Sequence, residues 1–406
     1  MQAQSRRAFL AGMGVAAAAG ARDPEAYWQG IRREFEFPEE RVPFNAANLC
    51  PSPRRVSASL EQYTQDIDHD CSLENRRKFA ALVEGIRARI AAQIGAGAEE
   101  VAIVRNTTEA NNIINNGLPL APGDEVVLWD QNHPTNNVAW EVRAARFGFA
   151  VRRVSTPVRP FGAEELAAAF ERALSPRTRV LAVTHVSNVT GIRLPVPLLA
   201  GFTRRRGIFL HVDGAQTWGA LRVNMAELGC DSYSASAHKW FMGPREAGIL
   251  YVCSDRIAQI WPNSVAPGWG NDWETDLEGA RKFESLGQRD DARLMALGAA
   301  AEFLDAIGWE RLQARVLELA RRLKEELLEA GARLVTPMDA TLSAGVCVME
   351  APAAARQALV GEFYSRHGLA VAANGGLRLC PHVYNTLEHL ERAVGAVHAT
   401  RRLWNA

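Results

Sequence analysis

Lys239 stands in the stretch Ser-Ala-Ser-Ala-His-Lys-Trp-Phe-Met-Gly, behind small residues and a histidine and ahead of large apolar side chains. An amine in such a setting is either a solvated charge or a buried group held for nucleophilic and acid–base work. Other reactive side chains also stand directly behind short apolar runs. Asp213 and Gln216 follow Gly-Ile-Phe-Leu-His-Val, and Asn188 follows Val-Leu-Ala-Val-Thr-His-Val-Ser. Thr107 and Thr108 follow Val-Ala-Ile-Val-Arg-Asn, and His133 follows Glu-Val-Val-Leu-Trp-Asp-Gln-Asn. Each has a plain alternative, since Asp213 and the threonines also suit helix caps and His133 suits a satisfied loop histidine. Together they offer an amine, a carboxylate, an aromatic ring, amides and hydroxyls to one place.

The elements that would position them follow from periodicity. Short aliphatic or β-branched runs, residues 101–104, 124–130, 179–188, 207–216 and 248–254, alternate with helical stretches such as 162–175 and 196–207. Alternation of this kind predicts an α/β fold, a mainly parallel sheet flanked by helices on both faces. Ligands on such a sheet bind at the carboxyl ends of the strands, where the residues above fall. From about residue 291 long helical stretches lead to short strands near residues 342–350 and 376–380, which predicts a smaller α+β C-terminal domain. The expected division is 22–60 as a segment packing with the small domain, 61–290 as the large domain, and 291–406 as the small one.

Composition narrows the partners. The chain has 406 residues, with 46 basic against 46 acidic, so nothing favours nucleic acid or an anionic membrane surface, and a small molecule fits better. Six cysteines are scattered without a Cys-x-x-Cys pair, which argues against a zinc site or a disulfide framework. At the N-terminus, Arg6 and Arg7 precede Phe9-Leu10 and an alanine- and glycine-rich run ending Ala19-Gly20-Ala21. Residues 1–21 resemble a twin-arginine export signal, which predicts a periplasmic or exported protein; a flexible N-terminal helix on a cytoplasmic protein is the alternative. The run is too short to span a membrane, and no other segment is a candidate.

The collected side chains are those needed to hold pyridoxal phosphate. A lysine amine condenses with its aldehyde, a carboxylate keeps its ring nitrogen protonated so that the ring draws in electrons, and a helix N-terminus with hydroxyls takes its phosphate. On these motifs the chain resembles the class V aminotransferase family of fold-type I pyridoxal phosphate enzymes, which includes isopenicillin N epimerases and cysteine desulfurases, over nearly all of residues 40 to 400. The resemblance implies that Lys239 carries the cofactor, that Ser236, His238, Thr107 and Thr108 meet its phosphate, and that Asp213 pairs with the ring nitrogen. It implies that Gln216 and Asn188 lie near the ring hydroxyl and that His133 stacks on the ring. Arg378, six residues before Tyr384-Asn385-Thr386, becomes the clamp for a substrate carboxylate, with Asn48 beside the substrate. It also implies a homodimer with its site at the subunit interface; where many relatives offer a Gly-Thr to the partner's phosphate, this chain has Gly287-Gln288, and Gln288 can donate an amide hydrogen bond.

What the resemblance implies chemically is removal of the α-proton of an amino acid or small peptide, ending in epimerisation or transamination. The alternatives are a C–S lyase or a tailoring enzyme for an exported metabolite. A desulfurase is disfavoured, because the stretch His-Gly-Leu-Ala-Val-Ala-Ala-Asn-Gly-Gly-Leu ahead of Arg378 holds no cysteine. Trp269 and Trp273 suit either a lid or cross-subunit loop or a plain surface turn. A dinucleotide oxidoreductase would show Gly-x-Gly-x-x-Gly after the first strand and does not. The presence of Lys239, Asp213 and Arg378 argues against an inactive binding protein.

Overall fold

The computed structural model describes residues 24–266 and 278–405. The twin-arginine stretch and Trp269 and Trp273 lie outside the described residues.

A seven-stranded sheet organises the chain. Its strands are β1 (Val101–Val104), β2 (Glu125–Trp129), β3 (Ala150–Val154), β4 (Thr178–Thr184), β5 (Phe209–Asp213), β6 (Ser232–Ser236) and β7 (Gly248–Val252). The spatial order is β1-β7-β6-β5-β4-β2-β3, and every neighbouring pair is parallel except those made by β7. Alternate residues face opposite layers, as the two-residue period of a strand requires. Ile103, Trp129, Val183 and Val212 enter a core shared with the helices Leu73–Gln93, Ala163–Ala173 and Val196–Arg205. Val104, Leu128 and Ala182 face the other way, onto the helices Thr107–Gly117 and Pro134–Phe147. The sheet is therefore covered on both faces, in an α/β fold with a mainly parallel sheet. No described helix is long and apolar enough to cross a membrane.

A second core gathers Leu319, Leu323 and Leu327 of the helix Trp309–Glu329 with Phe363, Leu377 and Leu390. Its three-stranded antiparallel sheet places Leu377–Leu379 between Ala372–Ala373 and Cys347–Met349, so Arg378 sits on the central strand. Part of the N-terminal segment joins here, with Val42–Pro43 parallel to Leu369–Ala370 and Asn45 bridging to Cys380, but Tyr27, Trp28, Ile31, Phe35 and Val56 of the same segment lie in the large core. The helix Asp291–Ile307, which the sequence pattern assigns to the small domain, packs instead on Arg54–His69 and Leu73–Gln93, with Leu294, Leu297, Ala301 and Leu304 in the large core. It is apolar nearly all round, and such a helix is stable only when buried on several sides.

Candidate active site

The helix Thr107–Gly117 begins at the end of β1, where Asn106 caps it by accepting from the Glu109 N–H at 2.9 Å. Its first turn is pinned to β6, because Ser236 Oγ accepts from the Thr107 N–H at 2.8 Å and lies 2.7 Å from Thr107 Oγ1. Gly248 permits this approach. A Cβ there would meet Ala235 O at 2.4 Å and Asn106 Cα at 3.1 Å. His133 caps the helix Pro134–Phe147, its Nδ1 accepting from the Thr135 N–H at 3.3 Å, which puts the ring proton on Nε2.

These ends converge. Asn48, Thr107, Thr108, His133, Asn188, Asp213, Gln216, Ser236, His238 and Lys239 line one cavity of about 270 Å³. Asp213 closes β5 and is buried, with Oδ2 accepting from Asn111 Nδ2 at 2.9 Å and Oδ1 from the Ala215 N–H at 3.0 Å. Lys239 is half-buried on the cavity wall, and among the described residues its amine has no hydrogen-bond or salt-bridge partner. Burial lowers its pKa; the charge of Asp213 opposes that shift and Arg378 adds to it. Burial and Lys239 also lower His133, while burial, Lys239 and Arg245 bring His238 down to about 4. Both imidazoles are thus neutral near pH 7.

Arg378 is not itself a lining residue but stands behind Asn188. Its Nη1 donates to Asn188 O at 3.0 Å and its Nη2 to Asn45 Oδ1 at 2.9 Å, while Nε is buried without a partner among the described residues. Asn374 Nδ2 donates to the same Asn188 carbonyl at 3.0 Å. Gln216, expected near a ring hydroxyl, has both ends of its amide engaged: Nε2 donates to Ala47 O at 3.0 Å and Oε1 accepts from Trp240 Nε1 at 2.8 Å. It ties the segment carrying Asn48 to the residue after Lys239. Gln288 is not brought to this cavity within the chain. It lines a separate open cleft of about 930 Å³, accepting from Arg76 Nη1 at 3.1 Å.

Asn45, Asn111, His211 and Asn374 escaped the sequence reasoning, although two of them carried a signal. Asn111 lies one helical turn after Thr107, and His211 lies two residues before Asp213, on the same face of β5. The arrangement fits pyridoxal phosphate on its donor chemistry. Hydroxyls and a helix N-terminus stand ready for a phosphate, a buried carboxylate for the ring nitrogen, and the Lys239 amine for the aldehyde.

Comparison with known proteins finds likenesses over most of the chain. A sequence profile for the family described as "Aminotransferase class-V" matches residues 44–399. Isopenicillin N epimerase of Amycolatopsis lactamdurans is 30% identical over 393 residues, which is 91% of this chain and 98% of the relative. The apo cysteine desulfurase of Thermococcus onnurineus NA1 superposes with a TM-score of 0.83 at 23% identity, over 92% of this chain and 98% of the other. A C-DES variant with glycine covalently linked to its pyridoxal phosphate cofactor superposes equally well, with a TM-score of 0.83 at 22% identity over 90% and 98% of the two chains.

Proposed function

Because the chain belongs to the class V aminotransferases and takes pyridoxal phosphate as its cofactor, we propose that it works at the α-carbon of an amino acid or small peptide, as an epimerase. The observation that carries this reading is the amine of Lys239, without a partner among the described residues, in one cavity with Asp213 and with Arg378 close behind. When bound, pyridoxal phosphate supplies an aldehyde that condenses with the substrate amine and a ring that withdraws electrons from the α-carbon. The chain's own residues do the rest. Thr107, Thr108, Ser236 and His238 receive the phosphate, and Asp213 faces the ring nitrogen. Arg378 holds the substrate carboxylate through N–H groups already oriented by Asn188 and Asn45. With its pKa lowered, the amine of Lys239 is the base that takes the α-proton at Nζ, and inversion follows when a proton reaches the opposite face of the α-carbon.

The segment ahead of Arg378 supports proton chemistry over persulfide formation. The turn Asn374-Gly375-Gly376 carries no thiol and lies tight against residues 188–189. Cys380, beyond the arginine, is buried, and burial raises its thiol. The Amycolatopsis epimerase is matched over 98% of its length, which supports stereochemical inversion.

A panel of amino acids and small peptides incubated with the holoenzyme in deuterated water tests this. The expected result is deuterium at the α-carbon with formation of the epimer. A keto acid without epimer, or a released side-chain fragment, overturns the epimerase assignment. The same reading takes two copies of the chain to share the site and Arg6-Arg7 to direct export; sedimentation and cell fractionation test these.

A further inference from the structure

Asp213 is joined to a chain of polar groups in the core. Asn111 Nδ2 donates to Asp213 Oδ2 at 2.9 Å. Asn111 Oδ1 meets His211 Nε2 at 2.9 Å and accepts from Ser234 Oγ. His211 Nδ1 lies 2.7 Å from Ser232 Oγ. Asn111, His211, Ser232 and Ser234 are each at most 1% exposed, so none exchanges these partners for bulk water.

The orientation of every group is determined. Turning the Asn111 amide over would set its carbonyl oxygen against the carboxylate, two acceptors face to face, so Nδ2 must point at Asp213. Oδ1 then requires donors from both other neighbours. Burial brings His211 down to about 3, so its ring is neutral with a single N–H. That proton is on Nε2, facing Asn111, and Nδ1 accepts from the hydroxyl of Ser232. A single sense of donation therefore runs from Ser232 through His211 and Asn111 to Asp213.

We propose that Asn111 and His211 are positioning residues that act through Asp213, fixing an N–H donor on Oδ2 so that the carboxylate meets the cofactor's ring nitrogen as an acceptor. Without that donor, Asp213 Oδ2 would be buried with one bond fewer, and the carboxyl would do better holding a proton itself than leaving it on the ring. The other charged or titratable groups around Asp213 are Lys239, His133 and Tyr233, and none of them bonds Oδ2. The inference rests on the cofactor assignment and not on which reaction follows α-proton removal.

Holoenzyme reconstituted with pyridoxal phosphate labelled with nitrogen-15 in the ring tests it by magnetic resonance. Wild type is expected to give a protonated ring-nitrogen signal. Asn111→Leu and His211→Phe are expected to move that signal toward the unprotonated position at unchanged cofactor stoichiometry, with kcat down about tenfold. His211→Gln, whose Nε2 can donate where the imidazole did, is expected to stay near wild type. Unmoved ring signals in the first two variants overturn the proposal, and so does an equal shift in His211→Phe and His211→Gln. Should Asn111→Leu fail to fold, the two His211 variants decide alone. A wild-type chain that takes up no pyridoxal phosphate overturns the cofactor assignment and this proposal with it.

Discussion

Arg378 and Asn188 stand 190 residues apart in sequence, yet the guanidinium Nη1 of one donates to the main-chain carbonyl of the other at 3.0 Å. This bond joins the small sheet to the turn after β4 and fixes a cation beside the cavity before any substrate arrives. Asn45 holds the second terminal nitrogen, so three separate stretches of chain aim one side chain.

Arg378→Lys is therefore expected to raise KM for a carboxylate-bearing substrate by about tenfold to a hundredfold, with a smaller effect on kcat. Lysine keeps the charge but loses the planar pair of donors, and a charge-assisted hydrogen bond contributes about 1.5–3 kcal/mol. Steady-state kinetics separating KM from kcat check this.

Gly375 has φ +74, and a Cβ there would lie 2.0 Å from Val189 O. Gly375→Ala is expected to cost about 1–3 kcal/mol of stability, because both the conformation and the approach resist a side chain. It should also raise KM, since Asn374 and Arg378 share the Asn188 carbonyl that this turn rests against. Urea denaturation and kinetics on one preparation measure the two effects together.

Three buried histidines give the apoprotein a pH signature. Burial brings His185 and His211 to about 3 and His382 to about 4, against an ordinary value of 6.5. Below pH 6.5 the unfolded chain binds protons that the native chain refuses, so stability is complete above 6.5 and falls as pH drops toward these lowered values. Replacing His382 by Gln is expected to make the decline between pH 6.5 and 4 shallower, by on the order of 3 kcal/mol at the acid end. Urea midpoints across that range check it.

Much of this architecture was legible because its signals were local. The runs at β1, β2, β4, β5 and β7 are aliphatic enough to announce buried strands, and Asp213 and the threonines follow two of them in the pattern a parallel sheet needs, whereas Lys239 follows β6. β3 and β6 were not legible. β3 carries Arg152 and Arg153 at the edge of the sheet, while β6, Ser-Tyr-Ser-Ala-Ser, is built of small hydroxyl residues that carry no apolar signal. The helix that begins at Asp291 is enclosed by the large core, which its local sequence does not reveal. Asn45, Asn374 and the relay through Asn111 depend on contacts between distant segments, which no local window contains.

Attachment of the cofactor at Lys239 is the central claim. Purified wild-type protein, incubated with pyridoxal phosphate, treated with borohydride and digested, is expected to yield one pyridoxyl-modified peptide with the label on Lys239. Lys239→Ala is expected to yield none while keeping its fold by circular dichroism. A wild-type protein that yields no modified peptide, or one labelled at another lysine, would contradict the account.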